Sequence, residues 1–545
     1  MQMSVTLREW QKEYLKTAIE HLRKDKTLLL QSPTGSGKTL FALNTALSVG
    51  GTIIYLTRTH NEFNSVKREA DRLGLKIAFI FGKASVCPFA QGNEDPEEID
   101  CKSCKLNGKV KDMGNLSPSQ IIVEAKKASD YCPYQSLKAK IGNANIIASS
   151  YLYFFLPNLR RSMLKEIEDK NIVVIIDEAH NLLFSDEWFK RRIGKKTLKN
   201  ALEELEIVRK ESRISVDKAK EYLTILYDFM TKLDEGSGCK QLPLFPQPSK
   251  EALDQLVKAM KTYVNLIKGP IKRSSLRSIV NFFSEEGDVY NCNGSLVIIP
   301  NKTWDKISSA LNVANYRILM SGTLPELGIN GYRINVNVKM GKAEWYYCNN
   351  LTSKAKVRSS EAPKYAEVLE RIYKLSGSNV LIFFPNYEFK NLVKENVKTV
   401  PVLEENKRGV THEEILELMR NGKYLVLLVM RAKESEGVEF RFENKNLFDS
   451  MVLAGLPYPD ITDSIVTNRI KRVAKLTKRS EEEVAHELTL ITIKQTIGRA
   501  FRDPNDYVKV YLCDSRYKEY FSDLGISEKE IRLEFFFSKL GSLFN

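Results

Sequence analysis

A 545-residue sequence without one apolar run of 18 residues has no segment that reads as a membrane-spanning helix. The opening residues, MQMSVTLREWQKEYLKTAIEH, are polar and amphipathic. They lack the apolar core and cleavage site of a secretory signal, so a cytoplasmic protein is expected. There is no internal repeat of fixed period and no long low-complexity tract, which excludes solenoids and linker-like chains. Cysteine is scarce at 8 residues, and a chain of this length builds cores without covalent staples, so the thiols do not read as a disulfide framework. Acidic residues are the minority charge: 68 Asp and Glu face 83 Lys and Arg, a net +15. That excess fits a polyanionic partner, although excess lysine also serves solubility.

What the chain does contain is several domains' worth of ordinary globular sequence, 43% hydrophobic and 28% charged. Continuous apolar strands begin at TLLLQ (from residue 27) and continue at 52–57, 145–148, 172–176 and 318–320. A second series lies at 379–384, 424–429, 451–454 and 508–512. Strands apolar on both faces suit parallel sheets covered by helices, so the expected fold class is α/β with two such cores. Two segments interrupt the pattern. Residues 83–135 carry cysteines and are irregular, whereas 182–315 read as mostly helical, with apolar stripes at Val216 to Leu233 and at Leu253 to Ile267. Between those stripes GSGCKQLPLFPQPS (236–249) reads as a loop.

Ser32-Pro33-Thr34-Gly35-Ser36-Gly37-Lys38-Thr39 sits between an apolar strand and a helical pattern. Glycines let backbone N–H groups close around phosphate oxygens, Lys38 supplies positive charge, and the Thr39 hydroxyl can ligate magnesium. The strict motif has Gly where this chain has Ser32. Asp177-Glu178-Ala179-His180 follows the strand IVVII, so two acids emerge at the carboxyl end of a strand, where α/β sheets place ligands. Asp177 suits magnesium, and Glu178 suits the orientation and deprotonation of a water. In Gln495-Thr496-Ile497-Gly498-Arg499-Ala500-Phe501-Arg502, two arginines three apart would share a face if helical. An arginine on the γ-phosphate can accelerate transfer by about 10³–10⁵. ATP and Mg2+ are the cofactors these residues imply.

Taken in order, Gln11, the GKT loop, Thr57-Arg58-Thr59-His60, DEAH, Ser321-Gly322-Thr323, Ser435-Glu436-Gly437 and QTIGRAFR resemble a superfamily 2 helicase. The resemblance implies two RecA-like motor domains. It also implies that Gln11 reads adenine, that Arg58 and Thr59 touch the DNA backbone, that Ser321 and Thr323 couple hydrolysis to domain movement, and that Gln495, Arg499 and Arg502 meet the triphosphate. Glu434-Ser435-Glu436-Gly437-Val438-Glu439-Phe440 departs from the family's GxxxEGxDF, with Glu439 in place of Asp and no Gly near Met430.

Cys87, Cys101, Cys104 and Cys132 are separated by 13, 2 and 27 residues, and four thiolates at one locus could hold zinc or an iron–sulfur cluster. A four-cysteine insertion before DEAH and a helical insertion after it are similar to the XPD (xeroderma pigmentosum group D) family of DNA helicases, in its compact archaeal form. That resemblance spans essentially the whole chain. It implies a [4Fe–4S] cluster, 5′ to 3′ movement on single-stranded DNA, and nucleotide excision repair alongside repair proteins, by a monomer. It also implies a basic residue near cluster and DNA, here Lys83, and an arch bearing Lys190, Arg191, Arg192, Lys195 and Lys196. Tyr151 and Tyr153 read as core rather than as base-stacking residues. The expected domains are a first motor (1–82, 136–181 and 316–350), a cluster domain (83–135), an arch (182–315) and a second motor (351–545). The competing readings are a nucleotide-switched DNA clamp or damage sensor without processive unwinding, and an RNA-directed DEAH helicase.

Overall fold

Runs of consecutive apolar residues are hidden only if both faces of a sheet are covered, and the arrangement of this chain follows from that requirement. The computed structural model describes residues 6–169, 171–236, 238–404, 412–431, 439–443 and 445–533. After a helix over Glu9–Asp25, the chain forms β1 (Thr27–Gln31), β2 (Thr52–Thr57), β3 (Ile77–Ile80), β4 (Ile146–Ser150) and β5 (Ile172–Ile176). It leaves the sheet for β6 (Arg191–Ile193), β7 (Cys239–Gln241), β8 (Gly287–Cys292) and β9 (Ser295–Pro300), then returns as β10 (Tyr316–Ser321) and β11 (Tyr332–Asn335). The first sheet is parallel throughout, in the order β11-β1-β10-β5-β2-β4-β3. β2 and β5 are buried along their whole lengths.

The second core comprises β12 (Lys342–Tyr347), β13 (Asn379–Phe384), β14 (Val402–Glu404), β15 (Leu425–Val429), the small hairpin β16 (Arg441–Phe442) and β17 (Lys445–Asn446), β18 (Phe448–Ala454), β19 (Tyr507–Cys513) and β20 (Ile531–Leu533). Its sheet is also parallel, ordered β14-β15-β13-β18-β19-β12-β20. Residues 342–347, expected with the first core, therefore belong to the second sheet. Only the last two residues of β12 are fully buried, and KAEWYY lacks the continuous aliphatic run that marked the other strands in sequence.

The segment expected to be mostly helical has a sheet as well. Helices Lys195–Glu211, Asp217–Thr231, Lys250–Leu266 and Ser275–Phe283 pack on antiparallel strands ordered β6-β9-β8-β7. Cys239 and Cys292, directly opposite each other in the β7–β8 register, form a disulfide. Composition gave no hint of this pair, because the two thiols are 53 residues apart and only strand register makes them neighbours. Cys348 and Cys513 likewise meet across β12 and β19, with sulfurs 3.0 Å apart.

The two insertions touch. Asp100 N–H donates to Pro270 O (2.8 Å), Lys272 N–H to Glu98 O (2.7 Å), and Arg273 donates to Glu94 Oε1 (2.5 Å) and Asn93 Oδ1 (2.9 Å). The helices Ser464–Thr477 and Glu481–Ile497 cross from the second core, burying Ile470, Val473 and Leu488 in the same cluster as Leu182 and Leu327 of the first. Arg469 anchors that crossing: its Nε and Nη2 grip Asp186 at 2.9–3.1 Å and Nη2 also reaches Glu187 at 2.9 Å. Among the described residues no helix is long and apolar enough to cross a membrane.

Removing one partner of a buried pair strands the other charge, so Arg469→Met is expected to destabilise the junction of the two cores by about 3 kcal/mol. Urea unfolding measures it. A midpoint unchanged from the parent would show that the pair does not hold the cores together.

Candidate nucleotide site and four-cysteine centre

β1, β10 and β5 are adjacent and parallel, so the segments after their carboxyl ends converge: Ser32 to Thr39, Ser321 to Thr323, and Asp177 to His180. Ser32, the residue that departs from the glycine pattern, is fully buried. Its hydroxyl hydrogen-bonds that of Ser36 at 2.6 Å, and its N–H donates to Ser321 O at 3.1 Å. A serine is therefore accommodated by pairing with another serine inside the loop. Lys38 Nζ folds over the loop, 3.4 Å from Pro33 O and 3.9 Å from Glu178 Oε1. Thr34 Oγ1 lies beside Gly322 of the first core and Gly498 of the second.

Three residues of the N-terminal segment hold the loop by its carbonyls. Arg8 donates to Gly35 O (2.8 Å), Trp10 Nε1 to Ser36 O (3.0 Å) and Gln11 Nε2 to Gly37 O (2.9 Å). Gly37 (φ +94°) needs glycine for its backbone conformation, and a side chain there would push aside the Gln11 amide, 2.8 Å away. Gly35 (φ +78°) has the same double reason, because a Cβ would meet the Arg502 carbonyl at 2.8 Å. The second core thus reaches the phosphate loop.

Asp177 and Glu178 sit side by side under Lys38, and Glu178 has φ +48°, a left-handed conformation that costs an L-residue roughly 1–2 kcal/mol. Its carbonyl is held by Asn181 N–H (3.0 Å), Asn181 Nδ2 (3.0 Å) and the Tyr151 hydroxyl (3.1 Å). Its carboxylate accepts from Ser321 Oγ at 3.1 Å and lies 3.3 Å from His180 Nδ1. Burial alone would raise the Glu178 carboxyl, but the charge of Lys38 and the bonds from His180 and Ser321 outweigh it and hold the group low. Asp177 is pushed up by burial and then by the neighbouring Glu178 charge. Of the pair, Glu178 is therefore the more readily ionised. The Tyr55 hydroxyl donates to Asp177 Oδ2 at 2.9 Å and lies 3.4 Å from Thr39 Oγ1, so it stands between the two groups suited to magnesium.

Gln495 crosses from the second core to His180, its amide nitrogen 2.5 Å from Nε2. That ring nitrogen accepts, which leaves Nδ1–H facing Ser321 and Glu178. Burial lowers the His180 pKa and keeps the ring neutral. Arg499 and Arg502 do not share a helical face, because the helix ends at Ile497 and a turn follows. The Arg499 guanidinium lies over the Phe383 ring, and Arg502 Nε is 3.4 Å from Glu439 Oε1. Met430 and Phe440 are buried flanks, while Glu434, Ser435, Glu436, Gly437 and Val438 lie outside the described residues.

Arg58 Nη1 donates to Asn181 Oδ1 (3.0 Å), and the N–H groups of Arg58 and Thr59 both donate to Glu62 Oε2 (2.9 and 3.0 Å). Thr57 Oγ1 bonds Thr59 O, and Thr59 Oγ1 and Thr323 Oγ1 are buried without a hydrogen-bond partner among the described residues. Tyr151 and Tyr153 are core residues, as expected, yet both are wired to sites. The Tyr151 hydroxyl also donates to Asp177 O, and Tyr153 pairs with Tyr134 at 2.5 Å.

Cys87, Cys101, Cys104 and Cys132 line one small pocket with Lys83, Phe89, Ile99, Tyr134 and Pro270, partly open to solvent. All four thiols are free and half-buried. Burial pushes the Cys87 and Cys132 thiols up, opposed by backbone N–H groups of Phe89 and Ala90 at Cys87 and of Gln135 and Tyr134 at Cys132. Among the described residues no three His, Cys, Asp or Glu side chains converge on a single-ion site. Four thiols around one pocket are a donor set of the kind that iron–sulfur clusters take. Lys83 Nζ faces inward to Ile99 O (3.2 Å) and Pro96 O (3.4 Å), and its charge acts on Cys101. Of the arch cations, Arg191 approaches Asp95 (3.8 Å), Arg192 bonds Ser295 (3.0 Å) and Lys195 pairs with Glu235 (2.5 Å).

Residues 191–300 match the arch domain of the DNA repair helicase XPD; 56–186 match the DEAD_2 profile, 369–524 a helicase C-terminal domain, and 4–81 the res subunit of type III restriction enzymes. The ATP-dependent DNA helicase XPD of Sulfolobus acidocaldarius is 31% identical, over 94% of this chain and 96% of its own length. This chain belongs to the XPD helicase family. The solved structure of S. tokodaii Xpd4 is 42% identical and superposes with a TM-score of 0.79 over 97% of this chain and 100% of that one. Another solved XPD helicase, 28% identical, gives 0.80 with the same coverages. Family membership accounts for the two parallel sheets, the insertion before DEAH and the arch after it.

Sequence reading missed Arg8, Trp10, Tyr55, Glu62 and Asn181. Tyr55 looked like one more core residue of a buried strand, and only the spacing Arg8, Trp10, Gln11 ahead of the loop carried a signal for the others. Although an edge of Glu62 reaches solvent, its carboxyl is pushed up to about 8, first by burial and then by the charge of Asp177. Between the ordinary glutamate range and that value the folded chain holds a proton the unfolded chain has released, so this group's contribution to stability falls as pH rises. Glu62→Gln keeps an acceptor for both N–H groups and is expected to melt above the parent at pH 8, with the difference fading toward pH 5. Parallel melting temperatures at both pH values would contradict the raised carboxyl.

Proposed function

We propose that this chain is an ATP-dependent DNA helicase that moves 5′ to 3′ on single-stranded DNA and parts duplexes at junctions, serving nucleotide excision repair in the cytoplasm as a monomer alongside other repair proteins. The observation that carries the reading is the hydrogen bond from Gln495 of the second core to His180 of the DEAH box, because it ties the groups of one nucleotide site to two separate sheets. A cleft built that way closes on ATP and opens after hydrolysis, and the relative motion of the cores is the step.

In this reading the loop from Ser32 to Thr39 cradles the triphosphate, Lys38 compensates its charge, and Gln11 holds both loop and adenine. Glu178, kept ionised by Lys38 and its hydrogen bonds, orients the attacking water and takes its proton. Arg499 and Arg502 spread the charge that develops on the γ-phosphate. Thr39 and Asp177 hold Mg2+, whose charge keeps Asp177 ionised and neutralises phosphate oxygens. Cys87, Cys101, Cys104 and Cys132 hold a [4Fe–4S] cluster, which cross-links a segment too small to bury a core of its own. Arg58, Thr59 and Lys83 are the proposed DNA contacts. The inward bonds of Lys83 support a role at the cluster wall, with DNA contact secondary.

Strand displacement from 5′-tailed and 3′-tailed duplexes tests the reading. The 5′ tail is expected to support unwinding, Lys38→Ala to abolish ATPase and unwinding together, and Cys101→Ser to lose iron and unwinding while keeping DNA-stimulated ATPase. Preference for the 3′ tail, or unwinding by Lys38→Ala, would overturn it.

A further inference from the structure

The residue directly after the DEAH box is held on both sides. Asn181 is 5% exposed. Its side-chain oxygen accepts from Arg58 Nη1 at 3.0 Å, and its side-chain nitrogen donates to Glu178 O at 3.0 Å. One carboxamide therefore connects the 57–60 loop to the backbone of the residue proposed to activate water. That backbone is left-handed at φ +48°, so its conformation depends on the bonds its carbonyl receives. Beyond Glu178 the chain of contacts continues through the carboxylate to Ser321 and His180 and so to Gln495.

We propose that Asn181 is a positioning residue that restrains Glu178 while the 57–60 loop is without DNA and releases it when a phosphate takes Arg58. The proposal rests on the reading of Arg58 as a backbone contact to the strand. Among the interactions of Arg58, its bond to the neutral Asn181 oxygen is weaker than the charge-assisted, bidentate bonds that a phosphate offers. When Arg58 turns to the strand, the Asn181 oxygen loses that donor and the carboxamide is no longer fixed from both ends. The Glu178 carbonyl then keeps only the Asn181 N–H and Tyr151, and the strained residue can shift its carboxylate away from Ser321 and His180 toward the water. Stimulation of hydrolysis by DNA is thus the removal of a brake.

A brake makes a prediction that damage does not: loosening it raises activity. Asn181→Ala is expected to raise the DNA-free ATPase rate by about fivefold, the worth of one buried hydrogen bond, and to shrink the stimulation by oligothymidylate correspondingly, with KM for ATP little changed. Asn181→Asp keeps the acceptor for Arg58 but cannot donate to Glu178 O, so it raises the DNA-free rate as well. Arg58→Ala is expected to raise that rate and to weaken oligothymidylate binding. The double variant Arg58→Ala with Asn181→Ala should rise no further than either alone, because both cut the same path. A DNA-free rate in Asn181→Ala at or below the parent's overturns the brake, as does multiplication of the two single effects. If Arg58→Ala bound oligothymidylate as the parent does, the Arg58 contact would fail and the brake with it. If binding weakened while Asn181→Ala stayed at the parent's rate, the brake alone would fail.

Discussion

Two carboxylates on consecutive residues cannot both lie uncompensated under a protein surface, and this constraint organises the nucleotide site. Glu178 is the more readily ionised of the two because Lys38, Ser321 and His180 converge on it, each from a different segment after a parallel strand or within the loop between strands. His180 can serve only as a neutral ring with one nitrogen donating and the other accepting, and Gln495 satisfies the accepting side from the other core. Compensation of one charge thus reaches across the cleft. The surroundings of Glu178 therefore depend on how the two cores are placed.

The same logic applies at the edges of the cores. Arg469 is buried only because Asp186 and Glu187 meet it, and those acids follow the DEAH segment closely. The helix Ser464–Thr477 also contacts the base of the arch, where Cys239 N–H donates to Asp463 and Asn468 donates to the Tyr290 hydroxyl. At its far end the arch meets the cysteine segment through main-chain bonds and Arg273. The two insertions, far apart in the chain, are mechanically in series with the nucleotide site.

Much of this was readable beforehand. Continuous apolar runs located strands in both sheets, and Ser32 to Thr39, Asp177 to His180 and Gln495 to Arg502 proved to be neighbours. Where reading failed, the residue lacked a local pattern. β12 begins with exposed and charged residues, carries no aliphatic run, and so was assigned to the wrong core. The arch sheet is made of short strands hidden between strong helical stripes. Arg499 and Arg502 looked like one helical face, but the helix stops at Ile497 before either arginine.

By itself the sequence determined the chemistry available: which residues can cradle phosphate, bind a divalent cation, accept a proton or hold iron and sulfur, since those capacities belong to side chains and their local spacing. Tertiary structure alone decided which groups share an environment. Tyr55 between Thr39 and Asp177, Asn181 between Arg58 and Glu178, and Cys239 opposite Cys292 carry no local signature, because each depends on distances set by strand register and by the packing of segments 50 to 130 residues apart. Electrostatics and hydrogen bonding act through space, and only folding determines what that space contains.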